Sequence, residues 1–196
     1  VVQVAEDLNK QLLGKRVLVR PCMRPDGFGS MHNIWMGSDF DGAFAQFVKV
    51  PASEVFVLDS NWSDVELGSI PCSYGSAENM LLRANVSPND HVLIAGASGG
   101  VGSIAVMILS KFGYDVTAVT GKKSNEDYLK SIGAKTVVNK DDFDKDPRPL
   151  DKGLWDGVVD TVGGKILANT LAQARDNGIV AACGNASDYK LSTTVM

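Results

Sequence analysis

The stretch VLIAGASGGVGSIAV, which covers residues 92–106, decides how the rest of this sequence is interpreted. Four apolar residues lead into a cluster of small residues, and a second apolar run follows at helical spacing. This pattern predicts a buried strand, a tight turn and a helix in direct succession. Because free backbone amides gather where such a helix begins, the turn is the first candidate for an anion-binding site.

The turn also fits the dinucleotide-binding fingerprint, with alanine in the place of the first glycine. A small first residue lets the strand turn sharply, Gly99 lets the backbone approach a pyrophosphate, and Gly102 lets the helix pack close to the strand. A glycine-rich turn without a ligand is the alternative interpretation. The predicted cofactor-binding residues of the turn are Ala97, Ser98, Gly99, Gly100, Val101 and Gly102.

The end of the next predicted strand favours NADP(H) over NAD(H). NAD-binding sites usually carry Asp or Glu about 20 residues past the fingerprint, where the acid binds the ribose hydroxyls. Thr120 takes that position here, and Lys122 and Lys123 follow it. A missing anion and two added cations suit a 2′-phosphate. The alternative is that the two lysines are a solvated entry to a helix.

Strands and helices alternate from residue 92 onward, which predicts a doubly wound parallel sheet of the Rossmann type. The strands are continuous apolar runs, as expected for a sheet covered on both faces. The charged segment 141–152 is predicted to be a loop or a single turn. Predicted strands cover 92–95, 116–119, 136–138, 157–160 and 179–182. Predicted helices cover 101–112, 125–132 with Ser124 as a cap, and 165–175 with Gly178 as the stop.

The N-terminal part has a different pattern. Short strands are predicted at 17–20, 43–50 and 55–58, with an irregular glycine-containing loop over 21–42, which is typical of part of an all-β unit. A capping-box sequence at 63–66 predicts a helix start, and a second helix is predicted over 76–84 with Leu81 and Leu82 on its buried side.

Composition limits the class of protein. The chain has 196 residues, of which 44% are hydrophobic and 21% charged, as in ordinary globular proteins. The net charge of −4 gives no reason to expect a nucleic-acid partner, and no apolar run approaches the roughly 18 residues of a membrane span. No signal-peptide pattern is seen at the N-terminus. Cys22, Cys72 and Cys183 form neither a disulfide framework nor a CxxC pair, so we expect a cytoplasmic protein.

Several further motifs accompany GASGGVG in a fixed order: GKRVLV at 14–19, DGAFAQFV at 41–48, IPCSYGSA at 70–77, LKSIGA at 129–134, DGVVDTVGG at 156–164 and GIVAACG at 178–184. The ordered set resembles the medium-chain dehydrogenase/reductase superfamily, among its zinc-type alcohol dehydrogenase-like and quinone oxidoreductase-like members. The resemblance implies a partial GroES-like domain over 1–65 and a C-terminally incomplete Rossmann domain over 66–196. It therefore also implies a fragment that is inactive alone.

The resemblance implies hydride transfer between a nicotinamide and a small carbonyl, quinone or enone, with a homodimer as the assembly. It adds Val162, Gly163 and Gly184 to the cofactor site and places Ser76 near the nicotinamide. Asp160 and Thr161 lie at the same strand end, although an acid there is equally well explained as a local cap. A nucleotide-binding redox sensor or structural protein without turnover is a second class of function.

Zinc is the remaining question that the resemblance raises. Cys72 precedes Ser76 by four residues, which matches a catalytic zinc ligand in zinc-dependent members, and a small core residue is the alternative. The cysteine-rich lobe of such enzymes would fall within 21–37, where Cys22 stands alone. A zinc-independent enzyme is therefore predicted, with a zinc-dependent alcohol dehydrogenase as the alternative. The irregular loop also contains His32 and Trp35; His32 is interpreted as an exposed residue, with a proton relay as the alternative. Met31 and Met36 are predicted to pack in this loop, and Asp39 and Asp41 to form turns.

Overall fold

The computed structural model describes residues 1–6, 10–23, 33–148 and 151–193. The chain divides into two compact units, Val1–Cys72 and Ser73–Met196. The domain boundary after residue 65 remains a prediction. Each unit is built from its own sheet pairings.

The first unit consists of short antiparallel pairs. Strand β1 (Val17–Val19) pairs with the fourth strand of the chain, and β2 (Cys22–Met23) pairs with β3 (Ile34–Trp35). This fourth strand is β4 (Val55–Val57), so the strands predicted over 17–20 and 55–58 are confirmed. Helix α1 (Asp64–Gly68) begins at the predicted capping box, in which Ser63 and Glu66 bond each other's backbone amides.

The predicted strand over 43–50 is wrong. No strand forms there, and the side chains of Phe44 and Phe47 are 112% and 72% exposed. A segment rich in Val and Phe becomes a strand only when a neighbouring strand accepts its backbone hydrogen bonds, and no described strand pairs with this segment.

The second unit is an α/β unit around one parallel sheet. Its elements in chain order are α2 (Gly75–Ala84), β5 (His91–Ala95), α3 (Gly100–Lys111), β6 (Asp115–Thr120), α4 (Glu126–Ser131), β7 (Thr136–Asn139), β8 (Trp155–Asp160), α5 (Gly164–Ala172) and β9 (Ala174–Ala182). The strand order is β7-β6-β5-β8-β9, and every pairing is parallel. The predicted doubly wound sheet is therefore confirmed.

This strand order indicates where a ligand would bind. The chain starts at the central strand β5, builds outward to β7, and then crosses to β8 on the other side. The connection that leaves β5 runs to one side of the sheet and the connection that leaves β8 runs to the other, so a crevice opens between these two strands. Ligands of open α/β sheets bind in such a crevice, outside the carboxyl ends of the strands. The glycine-rich turn follows β5, so the topology places it at this crevice.

The core of this unit covers both faces of the sheet. Residues 92–95 of β5 are fully buried. Ala77 of α2, Val106 of α3 and Leu129 of α4 belong to one buried cluster, whereas Ile166 of α5 belongs to the other. Helices on both faces explain why the strands of the sequence read as continuous apolar runs.

Three local predictions are wrong. Leu82 is 74% exposed because it lies about 100° around the helix from Leu81, which packs on the core. Ser124 does not cap α4; a 3-10 turn, Lys123–Asn125, leads into that helix instead. Helix α5 stops at Ala172, well before Gly178, because the next residues already pair with β8.

The other elements of the second unit agree with the sequence. The predicted helices over 76–84 and 101–112 are confirmed as α2 and α3 with small shifts at the ends. The 3-10 turn Lys140–Asp142 is the only regular element described within 140–148 and 151–152. Within the described ranges, the structure contains no helix long and apolar enough to cross a membrane.

Candidate functional site

The glycine-rich turn is fixed by its own backbone. The amide of Gly99 donates to the carbonyl of Gly96 at 2.9 Å, and the amide of Ala97 donates to the carbonyl of Val119 on β6 at 3.0 Å. Gly96 has a φ of 73°, in the left-handed region, and a Cβ there would lie 2.2 Å from Thr161 Oγ1. Only glycine is compatible with both conditions.

Gly102 shows a second close approach. A Cβ at Gly102 would lie 2.3 Å from the carbonyl oxygen of Gly96 and 2.8 Å from the Cα of Ala97, so helix α3 rests directly on the turn. This is the packing role that the fingerprint predicts for its last glycine.

The N-terminal end of α3 is open to an anion. Its N-cap residue is Gly99, which has no side chain to accept from the first amides, and the first turn contains no acidic residue. The first backbone bond of the turn runs from the amide of Ser103 to the carbonyl of Gly99 at 2.9 Å. Of the residues described, none places a side-chain acceptor on the amides of Gly100, Val101 or Gly102, so these groups are available to a phosphate.

The end of β6 lies against the same turn. Ser98 Oγ and Thr120 Oγ1 are 3.1 Å apart, and the amide of Lys122 donates to Thr120 Oγ1 at 3.3 Å. Thr120 is buried, while the side chains of Lys122 and Lys123 are exposed. A neutral hydroxyl group, that of Thr120, therefore occupies the position at which NAD-binding sites carry a carboxylate, and the Ser98 hydroxyl of the turn lies beside it.

Asp160 lies at the end of β8 and is fully buried. Its Oδ2 accepts from the amide of Gly163 at 2.9 Å, which makes it a cap of its own loop. Burial raises the pKa of the Asp160 carboxyl, and the amides of Gly163 and Val162 oppose this shift. Its Oδ1 has no hydrogen-bond partner among the described atoms. The local-cap interpretation of Asp160 is the one that the geometry favours.

The loops after β8 and β9 are in backbone contact. A Cβ at Gly184 would lie 2.3 Å from the carbonyl oxygen of Thr161, and the amide of Ser187 donates to the carbonyl of Val162 at 2.9 Å. Gly163 has a φ of 78° and faces the backbone of Asp188. With the contact of Gly96 and Thr161, the structure brings the glycine-rich turn, Val162, Gly163 and Gly184 together.

Ser76 lies in the first turn of α2 and is half-buried. Two residues that the sequence did not suggest also lie at this end of the sheet. Ser73 Oγ would be 3.0 Å from a Cβ on Gly100, and the stem of Lys140 lies over Gly121. No linear motif could reveal either contact, because both depend on tertiary neighbours.

Cys72 is exposed, so its interpretation as a small core residue is wrong. The described ranges contain no group of three or more His, Cys, Asp or Glu side chains that could hold a metal ion. His91 lies at the amino end of β5, opposite the glycine-rich turn, where it faces Asp115. Met31 and His32 lie outside the described residues.

Residues of the first unit have structural roles. The Asp39 carboxylate accepts from the amide of Trp35 at 2.7 Å, so Asp39 forms a turn as predicted. Trp35 lies on β3 and Met36 forms an isolated bridge with Phe40, so neither belongs to a purely irregular loop. In the second unit a cavity of about 380 Å³ lies between α2 and β9, and its lining, which includes Asn79, Arg83 and Ile179, contains no predicted site residue.

Comparison with known proteins agrees with this geometry. Residues 100–195 match the family model described as zinc-binding dehydrogenase. The chain is 53% identical over 114 residues to the probable acrylyl-CoA reductase AcuI of Escherichia coli, an alignment that covers 58% of this chain and 35% of that protein.

Two solved structures have the same fold and contain a nucleotide. The yhdH oxidoreductase of Salmonella enterica in complex with NADP is 39% identical, with a TM-score of 0.69. That alignment covers 82% of this chain and 51% of the Salmonella chain. The protein yhfP of Bacillus subtilis with NAD bound is 36% identical, with a TM-score of 0.71. Its alignment covers 79% of this chain and 48% of the Bacillus chain. The chain thus spans about a third to a half of the length of these relatives.

Proposed function

Because this chain belongs to the medium-chain dehydrogenase/reductase superfamily, we propose that the whole protein is an NADP(H)-dependent reductase of small activated alkenes, such as enones, quinones or unsaturated acyl thioesters. One observation carries the cofactor assignment. The phosphate-binding turn and the end of β6 meet at a hydroxyl pair, Ser98 and Thr120, which is followed by two exposed lysines.

The cofactor choice follows from charge. A carboxylate at Thr120 would bind the ribose hydroxyls of NAD(H) and repel a 2′-phosphate. Thr120 presents no charge, and Lys122 and Lys123 add two cations within three residues of it. The NADP complex of the Salmonella relative supports this choice, whereas the NAD complex of the Bacillus relative shows that the fold accepts either cofactor.

Each part of the site would have a distinct task. The free amides at the start of α3 would hold the pyrophosphate, with Gly99 and Gly102 allowing its close approach. The backbone around Val162, Gly163 and Gly184 would border the nicotinamide end of the cofactor, with Ser76 in its vicinity. When bound, NADPH would supply the hydride that reduces an alkene conjugated to a carbonyl.

The described residues do not fit a catalytic zinc. Such a site needs about three protein ligands, and the ranges that the structure describes contain no group of three or more His, Cys, Asp or Glu side chains that could hold a metal ion. We derive no step through zinc. In a protein without zinc the carbonyl is not polarised by a metal, and reduction of a conjugated alkene is then the reaction that we propose. Stoichiometric zinc in the whole protein that is lost on Cys72→Ala would favour the zinc-dependent alternative.

Direct binding tests the cofactor choice. We expect the chain to bind NADPH at least about tenfold more tightly than NADH by calorimetry, because a phosphate paired with cations adds charge-assisted hydrogen bonds. Thr120→Asp should remove this preference. Thr136→Asp, which adds the same charge to an exposed residue at the amino end of β7, is the matched control and should leave the ratio unchanged. Equal affinity of the parent chain for the two cofactors would contradict the assignment.

Turnover tests the reaction class. The whole protein should oxidise NADPH in the presence of acrylyl-CoA, a simple enone or a quinone, and should do so more slowly with an aldehyde. Failure to oxidise NADPH with any of these compounds, together with retained NADPH binding, would favour the nucleotide sensor or structural protein without turnover.

A further inference from the structure

A third lysine reaches the cofactor-selecting end of β6 from the neighbouring strand. A Cβ at Gly121 would lie 2.9 Å from Cδ, 3.2 Å from Cε and 3.4 Å from Cγ of Lys140. Three consecutive carbons of the Lys140 side chain therefore lie across the Cα of Gly121. Because Gly121 has no side chain, the stem can lie flat against the backbone there.

The sheet register explains this contact. Thr120 of β6 pairs with Asn139 of β7, so Gly121 and Lys140 are the next residues beyond two aligned strand ends. The backbone of Lys140 is fixed by a 3-10 turn, in which its carbonyl accepts from the amides of Phe143 and Asp144 at 2.9 and 3.0 Å. The start of the side chain is therefore fixed, and its stem crosses from β7 towards β6.

The charges around this stem leave Lys140 available. In the part of the chain that the structure describes, Lys140 forms no ion pair, whereas Lys130 pairs with Glu126 and Lys135 with Asp115. The acids closest to it in sequence are Asp141 and Asp142, which follow it in the same turn. Glu126 of α4, the acid nearest to Lys123 in sequence, is engaged by Lys130 at 2.7 Å.

We infer that Lys140 is a specificity-determining residue for NADP(H): its stem lies over Gly121 so that its ammonium group adds to Lys122 and Lys123 at the 2′-phosphate. This inference rests on the proposed cofactor. It differs from the prediction made from sequence, because the third cation comes from another strand 17 or 18 residues further along the chain. A surface lysine that only covers backbone with its stem would contribute nothing to cofactor choice.

Lys140→Met separates charge from packing, because methionine keeps most of the apolar stem and removes the ammonium group. We expect this variant to bind NADPH about two- to fivefold more weakly, the range for one exposed charge contact, while NADH affinity stays unchanged. Lys140→Arg should restore NADPH binding. Lys135→Met is the matched control, since it removes a charge at the opposite end of β7 and should leave the NADPH to NADH ratio unchanged.

Gly121→Ala gives a second route to the same test. The added Cβ would displace a flexible side chain rather than backbone, so the fold should be retained and the NADPH preference reduced. Calorimetry with both cofactors, with melting temperatures in parallel, distinguishes the outcomes. A parent chain without NADPH preference overturns the cofactor proposal and this inference with it. A parent preference that survives Lys140→Met, or that falls equally in Lys135→Met, overturns the inference alone.

Discussion

Gly102→Ala is the substitution whose effect follows most directly from the geometry. Its Cβ would lie 2.3 Å from the carbonyl oxygen of Gly96, where ordinary contact begins at 3.4 Å. Helix α3 would have to retreat by about 1.1 Å, because the opposing atoms are backbone and cannot rotate away. The donor–acceptor distance of an N–H···O hydrogen bond varies by only about 0.5 Å. The amides at the start of α3, displaced by twice that distance, would no longer fit a phosphate held by the turn.

The expected cost is that of an overpacked core, about 1–3 kcal/mol, which corresponds to a fall in melting temperature of roughly 2–12 °C in a chain of this size. NADPH and NADH affinity should both fall by more than about tenfold, since the pyrophosphate is common to the two cofactors. Thermal unfolding and calorimetry measure these two effects on the same preparation.

Two other glycine variants make the test specific. Gly99→Ala would place its Cβ 3.3 Å from the same Gly96 oxygen, so a shift of a tenth of an ångström suffices and a much smaller loss of stability is expected. Its cofactor affinity should still fall, because Gly99 is the residue proposed to let the pyrophosphate approach the backbone. Gly68→Ala at the end of α1 has no atom within 4 Å of the added Cβ and should leave binding unchanged. A Gly102→Ala chain that melts and binds NADPH as its parent does would refute the assigned role of this glycine.

Two further predictions concern charge and pH. Burial raises the pKa of Asp160, so the parent should lose stability as pH rises from about 4 through that raised value; Asp160→Asn should flatten this dependence in urea unfolding series, and parallel curves for the two proteins would argue against it. Arg20→Met removes the partner that bonds Glu54 at 2.6 Å and lowers its pKa. We expect a loss of about 1–2 kcal/mol at neutral pH, discounted because Arg20 is half-exposed, and a smaller loss as pH falls through the lowered pKa of Glu54. Equal losses at neutral and acid pH would count against the charge interpretation.

The sheet of the second unit could be predicted because local pattern and tertiary burial agree there. Each strand is a short apolar run and each helix returns the chain to the same end of the sheet, so the alternation alone implies parallel pairing. The strand predicted over 43–50 failed for the complementary reason. The segment is rich in Val and Phe, but no described strand pairs with it, and Phe44 and Phe47 remain exposed.

Helix ends were less predictable than helix existence. Gly178 is a plausible helix stop by sequence, yet Ala174 already pairs with Trp155, and a register shift follows between Trp155 and Gly157. A Cβ at Gly178 would lie 2.8 Å from the carbonyl oxygen of Trp155, so this glycine serves a close strand approach instead. Competition between a helix continuation and a strand pairing is decided by tertiary contacts that propensity does not contain.

The candidate site divides in the same way. The glycine-rich turn and the lysines after Thr120 could be found because the fingerprint is contiguous in sequence. Lys140 and Ser73 could not be found in this way. Lys140 lies against Gly121 and Ser73 against Gly100, and each contact joins residues about 20 to 30 positions apart in the chain. A sequence argument therefore finds the residues that line a site along the chain and misses those that reach it from adjacent strands and helices.

Gly96 is where the local and the tertiary parts of this site meet. Its carbonyl oxygen accepts from the amide of Gly99 and faces Gly102, while its Cα lies against the side chain of Thr161 at the end of β8. Thr161 Oγ1 in turn donates to the carbonyl of Ala95 at 2.9 Å, immediately before the turn. The turn proposed to hold the pyrophosphate and the loop proposed to border the nicotinamide are therefore held by one set of contacts around Gly96. A shift of either loop would be transmitted to the other through this residue, because both pack against it.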